Sequence, residues 1–155
     1  MMSKIVRTQA NFLYPLIMIF GFYIIAHGHL TPGGGFQGGA VIATGVALIA
    51  VAYSYKNVKA WIKKTHLTGA EAIGLLAFII TALMGIGTSF FHNWLANSGL
   101  IFGERVPYGV NPGYLNTAGT LPIMNLAVGI EVLGGLGVII IYYLHYLKEV
   151  SKDAV

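Results

Sequence analysis

Four long apolar stretches, at about 9–27, 38–55, 68–91 and 121–147, alternate with shorter segments where the charged, polar and glycine residues gather. Roughly 20 residues at 1.5 Å rise cross a hydrocarbon core, so the pattern predicts four transmembrane helices and an all-α fold. The first two stretches span with little slack, and the last two are long enough to tilt or to project. The basic residues sort with the stretches. Lys4 and Arg7 precede the first, Lys56, Lys59, Lys63 and Lys64 lie between the second and third, and Lys148 and Lys152 follow the fourth. Arg105 stands in a loop of the opposite parity. The positive-inside rule therefore predicts both termini on the cytoplasmic side, with the loop at 27–39 and the connection at 91–121 facing outward. Lys4 and Arg7 ahead of an apolar run also have the outline of a signal peptide, but three further spans and the charge sorting favour a retained helix.

Within the second stretch Gly35, Gly39, Ala43, Ala47, Ala50 and Ser54 recur at spacings of three and four and share a face. Small side chains let a neighbouring helix approach closely, so this helix is expected in the interior or at a subunit contact. Pro15 in the first stretch is of the kind that membrane helices tolerate. The link at 56–64 places Val58, Trp61 and Ile62 on one helical face and its lysines mostly on the other, the pattern of a short helix in the headgroup plane or of a lipid or partner site. Trp94, Phe102, Tyr108 and Tyr114 mark the outer connection as a packed loop with aromatic anchors. The chain lacks a long repeat and the paired interrupted helices that build a complete transporter from inverted halves.

Composition agrees with a membrane protein: 56% of the 155 residues are hydrophobic and 9% are charged, where soluble chains carry roughly 25% charge. One domain, residues 1–155, is expected. Having no cysteine, the chain offers no thiolate for iron–sulfur or zinc sites and no disulfide. The net charge of +4 is distributed by loop, not as a patch for nucleic acid.

A few residues interrupt the apolar pattern in ways that suggest chemistry. Glu131 lies near the middle of the fourth stretch, where a charge is costly and is a functional candidate by default. Ala127, Gly134 and Gly135 flank it at helical spacing and leave a notch for a partner helix, water or an ion. A structural hydrogen bond is the alternative. Asn125 adds polarity about one and a half turns earlier. Glu71 is expected in the first turn of the third helix, in reach of Lys63 or Lys64 for an interfacial salt bridge. Glu104 and Arg105 read as a solvated pair. His27 and His29 could relay protons at the outer end of the first helix, but their spacing without a nearby carboxylate does not argue for a metal. His92 and His145 lie near the interfaces and His66 in the lysine-rich loop. No metal site and no cofactor is expected. The glycine run lacks the Lys-Ser or Lys-Thr ending of a phosphate loop and follows no strand, which excludes a nucleotide site of that type.

The run Gly28-His29-Leu30-Thr31-Pro32-Gly33-Gly34-Gly35-Phe36-Gln37-Gly38-Gly39 resembles the signature of the B subunit (MnhB) of multisubunit Mrp-type sodium/proton antiporters. Pro32, Gly33, Gly34, Gly35, Phe36, Gly38 and Gly39 carry the likeness, which extends through the four-helix plan and the stretch at 125–135. Such subunits also occur in respiratory assemblies that join an Mrp-like module to a redox arm, as in membrane-bound hydrogenases and sulfur-reducing complexes. The resemblance implies a multi-pass protein of a prokaryotic plasma membrane, with other membrane subunits and the lipid bilayer as partners. It also implies Na+ and H+ as transported ions and no catalytic centre in this chain. The large partner subunits would carry the main proton path, while this one contributes helices on the sodium-handling side. Some antiporter versions place an aspartate slightly earlier in the fourth helix. Here Asn125 and Ala127 stand in that region and Glu131 supplies the carboxylate, a departure that points to the hydrogenase-type branch. Candidate ion-pathway residues are therefore Glu131, Asn125, His27, His29 and Glu71, with Ala43, Ala47 and Ala50 for helix packing. The alternative is a structural subunit that seals and assembles the membrane arm without carrying ions. A self-contained small transporter fits the sequence least, because few charges lie within its spans.

Overall fold

The computed structural model describes residues 2–31, 33–53, 55–106 and 116–153. Pro32, Ser54, Tyr108 and Tyr114, all singled out above, lie outside them. The described residues form five helices: α1 (Lys4–His27), α2 (Gly35–Tyr53), α3 (Tyr55–Trp61), α4 (Lys64–Leu83) and α5 (Leu121–Asp153). No strand occurs among them. Four of the helices, all but α3, are long and apolar enough to cross a membrane.

The helix ends differ from the apolar stretches where local chemistry takes over. α1 starts at Lys4 because Ser3 caps it, its hydroxyl accepting from Val6 N at 3.4 Å. It then continues through Pro15. α2 ends at Tyr53, and the basic link forms the separate helix α3, on which Val58 is buried; Ile62, just past its end, is half-buried. Trp61 is exposed, its ring edge-on to Tyr53 at 5.2 Å.

The third span is displaced from the expected 68–91. It begins at Lys64 and stops at Leu83, where Met84 N donates to Ile80 O and the chain turns. Gly85 packs directly on the chain returning at His92, since a Cβ at Gly85 would lie 2.5 Å from the His92 carbonyl oxygen. Ile86, Phe90 and Phe91 are therefore apolar but not helical, and all three are exposed. Further along, Asn93 ties the connection to the start of α5. Its Oδ1 accepts from Thr120 N at 2.8 Å and Thr120 Oγ1 at 3.1 Å, and its Nδ2 donates to Ala118 O at 3.0 Å.

α2 is the central helix, packed antiparallel to α1 and parallel to α5. Two different faces of it are used. Toward α1, a Cβ on Gly38 would lie 2.7 Å from Gly21 O, and one on Gly45 would lie 3.3 Å from Ile17. Toward α5, a Cβ on Gly39 would lie 2.7 Å from Gly129 O. Ala43 and Ala50 are buried and Ala47 is half-buried. A bond from Tyr53 OH to Asn11 Oδ1 at 2.7 Å joins α1 to α2 near the lysine-rich end. α4 is the outlying member, packed antiparallel on α5 with no comparable contact to α1 or α2. Its outer face leaves Ile73, Leu76, Ile80 and Leu83 exposed, the surface lipid or a partner helix would cover. α5 has 33 residues, about 50 Å of helix, so it outruns a core of about 30 Å and projects beyond it.

Candidate functional site

The two acidic residues inside the spans meet at one seam. On α4, Gly74 faces the backbone of Glu131, and a Cβ there would lie 2.6 Å from Glu131 N and 2.6 Å from Ala127 O. On α5, Gly134 faces the backbone of Glu71, and a Cβ there would lie 2.6 Å from Glu71 N and 2.6 Å from Leu67 O. Each glutamate thus sits opposite a glycine of the other helix, at positions three residues apart along the antiparallel pair. The axial offset is about 4.5 Å at 1.5 Å per residue. Both glutamates are half-buried.

The notch beside Glu131 is therefore filled by a helix of the same chain. Gly134 admits the α4 backbone, and at Gly135 a Cβ would lie 3.5 Å from Glu71 Oε1 and 3.6 Å from its Cδ. That position corrects the first-turn placement of Glu71. Because α4 begins at Lys64, Glu71 is its eighth residue and turns toward α5. The salt bridge to Lys63 or Lys64 is absent among the described residues, and the Lys64 ammonium instead donates to Tyr142 OH.

The remaining candidates gather at the opposite end, around the glycine run. Asn125 is seated in that run: a Cβ on Gly28 would lie 3.0 Å from its Nδ2, and one on Gly34 would lie 3.0 Å from its Oδ1. Gly35 packs on the Asn125 carbonyl, so a side chain there would strike backbone. Gly33 has a φ of 118° and an open surrounding, so it is the turn itself that calls for glycine. Gln37 reaches back to accept from Gly34 N at 2.8 Å, satisfying one of the unpaired amides at the start of α2. Phe36 is exposed. The run thus joins α1, α2 and α5 with backbone nearly in contact with backbone.

His27 stacks on Tyr23 with ring centroids 4.4 Å apart. Its Nδ1 and both ring nitrogens of His29 are buried without a hydrogen-bond partner among the described residues. His29 also lines a cavity of about 490 Å³ with Phe22, Phe102, Asn116 and Leu126. The five candidates therefore form two groups. Asn125 precedes Glu131 by six residues, about 9 Å along the axis, and faces the glycine run, whereas Glu131 faces α4. No cluster of three or more His, Asp or Glu side chains occurs among the described residues.

Sequence reasoning missed the reciprocal use of Gly74 and Gly134. The signal was present as a glycine three residues beyond each glutamate, Glu71 to Gly74 and Glu131 to Gly134. That repeated spacing suits two antiparallel helices set face to face.

Comparison with known proteins adds likenesses of family, sequence and structure. A sequence profile described as a domain related to the MnhB subunit of Na+/H+ antiporter matches residues 5–138. An uncharacterized protein of Methanocaldococcus jannaschii is 35% identical over 136 residues, covering 86% of this chain and 49% of that one. The B component of the Na+/H+ antiporter of Bacillus subtilis is 33% identical over 87 residues, 56% of this chain and 58% of that one. Among solved structures, a chain of the membrane-bound sulfane sulfur reductase, an archaeal respiratory membrane complex, superposes with a TM-score of 0.71 at 33% identity. That match covers 92% of this chain and 58% of the other. The matched region thus spans between 49% and 58% of the length of these relatives.

Proposed function

The chain belongs to the MnhB family, and from that premise we propose that it is a small membrane subunit of an Mrp-type cation/proton antiporter module that contributes to Na+/H+ exchange. The module either stands alone or is joined to the redox arm of an ion-pumping hydrogenase or sulfur-reductase complex, and the likeness over 92% of the chain to part of an archaeal respiratory membrane complex supports the second setting. The subunit sits in a prokaryotic plasma membrane with both termini in the cytoplasm, partners other membrane subunits and carries no catalytic centre of its own.

The observation that carries an ionic role is the α4–α5 seam. Glu71 and Glu131 stand on facing membrane helices, each beside a glycine of the other, without an ion-paired cation among the described residues. Keeping two acids in an apolar span works against stability and has to be offset by use. Here the acids hand on protons or Na+ between the module's larger subunits, and Asn125, His27 and His29 form a second polar group at the glycine run. Glu131→Gln keeps the shape and removes the exchangeable proton. In the assembled complex reconstituted in vesicles, it should lower Na+ and H+ flux at least about tenfold, a lower bound on the roughly 100-fold or more that a positioned proton-transfer group contributes, while subunit content stays the same. Unchanged flux removes the ionic role.

The second reading is a structural subunit that seals the membrane arm. It is favoured by the glycine and alanine packing of α2 and by the exposed apolar outer faces of α1 and α4. It predicts that a bulky residue at Ala43 disrupts assembly while Glu131→Gln is silent.

A further inference from the structure

At the lysine-rich end of the bundle, the α3–α4 link meets α5 around a cavity of about 390 Å³, a volume in the range of small-ligand sites. Its wall joins three cations, Lys59, Lys63 and Lys64, to an apolar floor of Ile62 and Ile141 and to the ring of Tyr142. The Lys64 ammonium donates to Tyr142 OH and lies 4.4 Å from the ring centroid. Its partner is a hydroxyl and not a carboxylate, so the Lys64 charge is not cancelled there. The positive end of α4 opens beside the same wall. Lys63 occupies its N-cap, where its side chain caps no amide of the first turn, and no acid stands in that turn. His145 lines the cavity as well, with its Nε2 3.6 Å from Glu149 Oε1, and Lys63 and Lys64 supply the positive field.

We propose that this cavity binds a phosphate group, and that the group is the headgroup of an anionic phospholipid entering from the bilayer. The lysines and the α4 terminus face the phosphate, while Ile62 and Ile141 take the glycerol and the first acyl carbons. Basic pockets between membrane helices at the lysine-rich face recognise anionic headgroups in this way, each lysine strengthening binding about fivefold. The site is separate from the α4–α5 glutamates and does not depend on an ion route.

The test uses the 155-residue chain in phosphatidylcholine nanodiscs, either plain, with phosphatidylglycerol added, or with millimolar inorganic phosphate. Lysine acetylation is read position by position. Phosphatidylglycerol should slow acetylation of Lys63 and Lys64 by about fivefold relative to Lys4 and Lys148. Equal protection by inorganic phosphate in plain discs supports the phosphate site and overturns the lipid as its source. Slowing that is uniform over all four lysines, or absent, overturns the site. Native mass spectrometry gives an independent reading. Lys63→Gln with Lys64→Gln should weaken phosphatidylglycerol adducts about twentyfold, and Lys4→Gln with Lys148→Gln should leave them within about twofold. Equal weakening in both pairs overturns the proposal.

Discussion

On one side of α5, Gly39 of α2 lies against Gly129 O and the Val132 side chain; on the other, Gly74 of α4 lies against the backbone of Glu131. Both contacts bring helix backbones together through a missing side chain, and they differ in what stands across from the glycine. The α2 seam opposes glycine to valine and glycine, so it supplies dispersion contact and cohesion. The α4 seam opposes glycine to glutamate twice over. The helices also differ in confinement: α2 is held between α1 and α5, whereas α4 rests on α5 with an outer face exposed. Close packing therefore builds a fixed core on one side and, on the other, sets two acids into a seam whose outer helix has room to move.

The largest effect should come from closing the confined side. A valine at Gly38 would bring its Cβ to 2.7 Å from Gly21 O and 2.9 Å from Ile25 N, both backbone atoms. α1 touches α5 as well as α2, so an outward shift of α1 gives up contacts on two helices where α4 gives up contacts on one. Gly38→Val should cost about 3 kcal/mol or more, seen as loss of the monodisperse species in detergent and a sharply lower melting temperature. Gly74→Ala meets backbone as closely, at 2.6 Å, but α4 can slide outward. Its cost should be about 1–2 kcal/mol, a smaller melting-temperature drop than that of Gly38→Val. Equal drops would show that α4 is held as tightly as α2, and the contrast would fail.

Gly33→Ala separates conformation from packing within the glycine run. No atom lies within 4 Å of the new methyl, yet the φ of 118° is unfavourable for alanine. A loss of about 1 kcal/mol is expected from strain alone, measured as the shift in an unfolding midpoint. A loss as large as that of Gly38→Val would mean that the run opposes side chains everywhere, which the open surroundings of Gly33 deny.

How much of this was legible in the sequence varies by element. Four membrane helices followed from the apolar lengths, and the interior position of α2 from Gly35, Gly39 and Ala43, because lipid removes most other ways to read such a pattern. The end of α4 was not legible, since Ile86, Phe90 and Phe91 are as apolar as the helix before them; the stop depends on Gly85 meeting His92. Glu71 was misplaced by the same limitation at the other end, where Lys64 to Leu67 join the helix although they are not part of the apolar run. Glu131 was legible as a charge in a span, and its notch as glycines. That α4 fills the notch is a tertiary fact, carried by the register of two helices whose facing positions are about 60 residues apart. No single-helix periodicity encodes it.

Gly135→Ala is the smallest structural change and the sharpest on function. The added methyl would lie 3.5 Å from Glu71 Oε1 and 3.6 Å from Cδ, ordinary contact distances. Nothing in the fold has to shift, and replacing a helical glycine by alanine stabilises by up to about 1 kcal/mol. The melting temperature should therefore hold or rise. The methyl nonetheless takes the space beside the Glu71 carboxyl, one helical turn from Glu131, where a water or Na+ would have to pass. If the seam conducts, flux in reconstituted complex falls about two- to fivefold, on the order of a 1 kcal/mol barrier, while stability is kept. If it only packs, flux follows stability and does not decline. Lower flux with unimpaired stability would distinguish the α4 seam from the α2 seam without a clash and without removing a charge.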